Sequence, residues 1–142
     1  MKRFIIAALV CLSPSAATAQ DHGAAIASAL DQHILPGVER LAVSSETLAE
    51  TAQSHCTATS AELRAAFHDA FDAWIHVSHL RFGPFEAENR AFALAFWPDS
   101  RGATPRTLAG LLNDADPVAG SLEAFSTISV AGRGFYALEF LL

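Results

Sequence analysis

Residues 59–80 read TSAELRAAFHDAFDAWIHVSHL, and this stretch decides the fold. Leu63, Phe67, Phe71 and Trp74 recur at spacings of three and four, which gathers them on one side of a helix. Thr59-Ser60-Ala61-Glu62 supplies a start, with threonine as N-cap and Glu62 reaching back to complete a capping box. Gly83-Pro84 ends the pattern, so the helix is expected to run to about Leu80. Opposite the apolar stripe, His68, Asp72, His76 and His79 fall within an arc of about 80°.

The same period extends outward. From about His22 to His55 the chain is again helical, with Leu35-Pro36-Gly37 expected to kink or break it near Ile34. Ile34, Leu41 and Leu48 share a face at seven-residue spacing. A shorter helix is expected over Phe85 to Phe96, ended by Trp97-Pro98-Asp99. Thr104-Pro105 opens another, with threonine as cap and proline at the first helical position. Leu108, Leu111 and Leu112 give that helix a stripe, and Asp114 to Pro117 closes it. The last helix begins between Val130 and Gly134. No stretch alternates with period two, and alanine is abundant, so the chain reads as an all-α helical bundle in one domain.

Residues 1–19 read as an export signal. Lys2 and Arg3 form the basic end, Phe4 to Leu12 the apolar core, and Ala17-Thr18-Ala19 a site for cleavage after Ala19. That core is too short to span a bilayer, so no transmembrane segment is expected in residues 20–142, the helical domain, and a bacterial periplasm or cell envelope is the expected location. Removing Lys2 and Arg3 from nine basic residues leaves seven against fifteen acidic ones, a net charge of −8. Such a balance argues against nucleic acid or an anionic membrane surface as partner. Cys56 is then the one cysteine, either a free or buried thiol or half of a bridge whose partner lies elsewhere.

Imidazoles and a carboxylate at i, i+3 and i+4 can reach one divalent cation, and the same arc also suits an ordinary solvated face. His22, His33 and His55 carry no such pattern and read as surface or cap residues. Arg81 either pairs with Glu139 or a bound anion, or satisfies the carbonyls at the end of its helix. Phe82 reads as a core anchor at the corner made by Gly83-Pro84. Asp99 is placed to accept from backbone N–H groups about two residues on. Glu139 stands alone in the apolar run Gly134 to Leu142, with Arg133, Tyr136 and Arg81 as candidate partners. The run carries no helix-ending signal, which suggests that part of the surroundings of Glu139 belongs to a further portion of protein or to a second chain.

Taken in order, Leu35-Pro36-Gly37, Cys56, Ala73-Trp74, Arg81-Phe82-Gly83-Pro84, Phe96-Trp97-Pro98-Asp99 and Gly134-Phe135-Tyr136-Ala137-Leu138-Glu139 resemble the imelysin family from about Ile34 to Leu142. The resemblance implies an all-α fold of two related bundles with a site in the cleft between them, this chain being one half. It also implies a cell-envelope role linked to iron uptake and divalent-metal binding, and a pairing of Cys56 with a residue of the other half. Gly134 and Glu139 match the ends of the family's glycine, any residue, histidine, two residues, glutamate signature, whereas Tyr136 occupies the histidine position.

Three functions follow as expectations. The first is a binding or accessory module for iron, zinc or another divalent ion, or for a small anionic ligand. There Glu139, helped by His79 or His76, forms a polar site, and Arg81 orients the carboxylate or holds an anion. The second is a metallopeptidase, which needs about three metal ligands and a base. No His-Glu-x-x-His is present and the family histidine is replaced, so enzyme action is not the expected role. The third is a truncated product with no activity of its own. Covalent c-type haem is not expected, because no Cys-x-x-Cys-His occurs.

Overall fold

A computed structural model describes residues 21–113 and 117–142, and these are helices and turns with no strand among them. The chain is therefore all-α, as its periodicity predicts. The export signal, cleavage at Ala19 and the closure of a helix at Asp114 lie outside the described residues.

The core is an antiparallel pair, α2 (Leu35–Ser54) and α3 (Ala61–Val77). Leu41 and Leu48 of α2 meet Leu63, Phe67, Ala70, Ala73, Trp74 and Val77 of α3, all buried. Burying each of the larger apolar side chains stabilises the pair by about 1.5–3 kcal/mol before entropy is set against it. The cap of α3 sits one residue later than expected. Ser60, not Thr59, accepts from the Leu63 N–H at 3.0 Å, and its hydroxyl donates to Glu62 at 3.0 Å. The Glu62 backbone N–H and that hydroxyl hold the Glu62 carboxyl below its usual range.

Pro36 does not break the first helical segment. α1 (Gly23–Ala29) passes into a π-helical turn (Leu30–Ile34) and on into α2, with Pro36 in the first turn of α2. Proline has no N–H for the carbonyl four residues back, and the widened turn accommodates that loss without ending the helix. Gly37 lets α2 close onto α3, because a Cβ there would lie 2.7 Å from Val77 Cγ1 and 3.2 Å from the His76 ring.

The second half of the chain is built from short pieces. The helix expected over Phe85 to Phe96 is instead two 3-10 turns (Gly83–Phe85 and Ala87–Asn89) followed by α4 (Arg90–Leu94). Glu88 and Asn89 have φ of 56° and 55°, and that left-handed pair interrupts the right-handed path. Phe82 is 54% exposed and does not anchor the core; Phe85 does so, its ring 6.4 Å from Trp74. α5 (Ala103–Asn113) buries Leu108, while Leu112 is exposed. Two 3-10 turns (Pro117–Gly120 and Val130–Gly132), α6 (Leu122–Phe125) between them and α7 (Phe135–Glu139) complete the described chain. Phe135 carries α7 into the core, its ring 5.5 Å from Phe71 and 6.2 Å from Phe67.

Candidate functional site

The segment Gly134–Glu139 is seated by its glycine. Gly134 has φ of 79°, a conformation that L side chains rarely adopt, and a Cβ there would lie 2.5 Å from the Leu94 carbonyl oxygen and 2.6 Å from that of Ala93. Only glycine fits so close to another backbone. α7 is thereby pinned against α4, with Phe135 and Ala137 buried and Tyr136 and Glu139 on the outer side.

Tyr136 and Glu139 line a hollow of about 270 Å³ with Phe96, Trp97, Asp99 and Phe140. The Tyr136 ring lies between Phe71, 5.7 Å away and nearly perpendicular, and Trp97, 5.5 Å away and tilted by 37°. Three residues singled out by sequence, Tyr136, Glu139 and Asp99, therefore meet around one space. Their availability differs. Both Asp99 oxygens are engaged, accepting from the backbone N–H groups of Ala103 at 2.7 Å and Thr104 at 2.8 Å. Those two bonds cap α5, a role expected of Thr104, and hold the Asp99 carboxyl below its usual range, Thr104 first. They reach four and five residues on, not two.

Glu139 is exposed, and on its other side it borders a smaller hollow with Arg64, Phe67, His68 and Leu142. None of its three expected partners forms an ion pair with it. Arg81 binds Glu86, Nε to Oε1, at 2.7 Å, and Arg133 donates to the Ser126 carbonyl. Tyr136 shares the hollow with Glu139, and no hydrogen bond joins them. Gly83, with φ of 57°, opens a 3-10 turn, and Pro84 lines an apolar groove with Phe82 and Phe85; neither borders the Glu139 hollows.

His76 and His79 are gathered elsewhere. The His79 Nε2 lies 3.1 Å from the His33 Nε2, and the His76 ring centroid lies 5.0 Å from that of His33. His68, which borders the Glu139 hollow, precedes His76 by eight residues, about 12 Å along the helix axis. The expected partnership of Glu139 with His76 or His79 is thus not assembled in the described residues. Nor do three His, Cys, Asp or Glu side chains converge to hold one metal ion among them. His33, expected as a surface or cap residue, instead meets His79. It is half-buried, and its only signal would have been a helical hairpin register that places residue 33 opposite residue 79. Cys56 is exposed and unbridged.

Comparison with known proteins adds one match: the family model described as Imelysin covers residues 34–142. No curated protein matches the chain, and no solved structure does. Among the described residues no helix is long and apolar enough to cross a membrane.

Proposed function

The chain belongs to the imelysin family, and on that premise we propose that it is an exported cell-envelope binding or accessory module, linked to the uptake of iron or another divalent cation. Its ligand is taken at the hollow between Tyr136 and Glu139. The observation that supports this reading is the seating of the family segment: Gly134 packs on the Leu94 carbonyl, and Glu139 is left beside an aromatic-walled space with its carboxylate in no ion pair.

The residues of the hollow do not by themselves fit a resident metal cofactor. Asp99 has both oxygens committed to backbone N–H groups, and a neutral phenol such as Tyr136 is a poor divalent ligand. One available carboxylate remains. A cation held there is therefore cargo, with its other positions filled by water or by donors that it brings. The aromatic walls, Phe96, Trp97, Tyr136 and Phe140, add attraction for positive charge. A peptidase would need about three protein ligands, an open position and a base, which this hollow lacks.

Trp97 is 65% exposed on the wall of the hollow and Trp74 is 4% exposed, so fluorescence change reports mainly on Trp97. Anaerobic titration with iron(II) should give a saturable change, weakened about tenfold in Glu139→Gln. An unchanged titration in that variant would remove the hollow as the binding site.

A further inference from the structure

We propose that His33 and His79 form a second, separate cation site: a two-imidazole chelate for a borderline divalent ion of the zinc class, with His76 at its edge. The two Nε2 atoms are 3.1 Å apart, while the ring centroids are 5.1 Å apart. The nitrogens are thus 2.0 Å closer than the centroids, so the rings meet nitrogen to nitrogen and not face on face. Two zinc–nitrogen bonds of about 2.0–2.1 Å, at angles from octahedral to tetrahedral, span about 2.8–3.4 Å. The observed separation falls inside that range without movement of either backbone.

The imidazoles have no carboxylate to hold them in another arrangement. The ion pairs among the described residues are Arg81 with Glu86 and Arg90 with Glu88, so neither His33 nor His79 is paired with an acid. The nitrogen–nitrogen contact requires one ring to carry its proton on Nε2 and the other to present a bare lone pair. On binding, the proton between the rings leaves Nε2 for solvent or for an unprotonated Nδ1, and both Nε2 lone pairs then face the ion. Neutral imidazole is the commonest protein ligand for such ions, and it favours them over the harder calcium and magnesium.

Three structural features bring the rings together. His33 comes from the π-helical turn that Pro36 requires, His79 follows the end of α3, and Gly37 clears the space into which His76 fits. Because the donors that converge number two, water completes the coordination. An ion at this site would tie residues 46 apart in sequence and so stabilise the fold by mass action.

The test is calorimetric titration of the whole chain with zinc chloride, together with the thermal midpoint with and without zinc. About one equivalent should bind at the imidazole pair, and His33→Gln or His79→Gln should each weaken that binding about tenfold or more and abolish the zinc-dependent rise in Tm. Both side chains lie outside the core cluster, so either variant alone suffices if its zinc-free midpoint matches the parent. His22→Gln should bind zinc as the parent does. Parent-like binding in either His33→Gln or His79→Gln overturns the proposal.

Discussion

Along its middle α3 turns Phe67 and Phe71 toward Phe135 and Tyr136, and a stack of rings carries the segment that ends at Glu139. At its far end the same helix offers His76, with His79 just beyond, to His33, so that an imidazole contact takes the place of the ring stack. One end is positioned by tight backbone packing under Gly134, the other by a π turn and a small residue at position 37. The difference teaches that sharing an arc of a helix does not make residues neighbours. His68 and His76 lie within that one arc, yet one borders the Glu139 hollow and the other meets His33.

The comparison can be broken most forcefully at the aromatic end. Phe67→Ala should cost about 4 kcal/mol in denaturant unfolding, through lost burial and a cavity beneath Phe135. Zinc binding measured where the variant is still folded should be unaltered if the two ends are independent. Gly134→Ala should cost about 3 kcal/mol, because its Cβ meets two carbonyl oxygens at a positive φ. It should also move Trp97 fluorescence, since α7 must lift from Leu94. Gly37→Ala probes the imidazole end, and about 1–2 kcal/mol is expected, since the atom it meets belongs to the Val77 side chain and can shift. That variant should disturb His76 before Tyr136.

The smallest effect is one of pH. Asp99 has a folded-state pKa below its unfolded value of about 3.9. The stability it contributes is therefore complete above about pH 4 and is lost as pH falls through the lower folded value. In Asp99→Asn the acid limb of the unfolding curve should be shallower than in the parent by that one group. An identical acid limb would show that the two backbone bonds contribute no pH-dependent stability.

Much of the fold was legible. The stripe of Leu63, Phe67 and Trp74 and the heptad of Leu41 and Leu48 are buried where their periodicity places them, because a long helix against one partner has few other solutions. The region after Gly83 was read less well. Its course depends on left-handed residues at Glu88 and Asn89, which carry no periodic signal. Arg81 illustrates the same limit: a local acid, Glu86, met it before a distant one could. Of the site, Gly134, Tyr136 and Glu139 were visible through their motif and Asp99 through turn chemistry. His33 was invisible because its partner lies 46 residues away, and nothing local marks that meeting.

The most direct test of the separation between the two ends is a nitrogen-15 NMR titration of the histidine side chains with zinc. The His33 and His79 Nε2 resonances should shift together up to one equivalent, while His68, beside Glu139, stays in place. A shift of His68 at or before that point, with His33 unmoved, would contradict it.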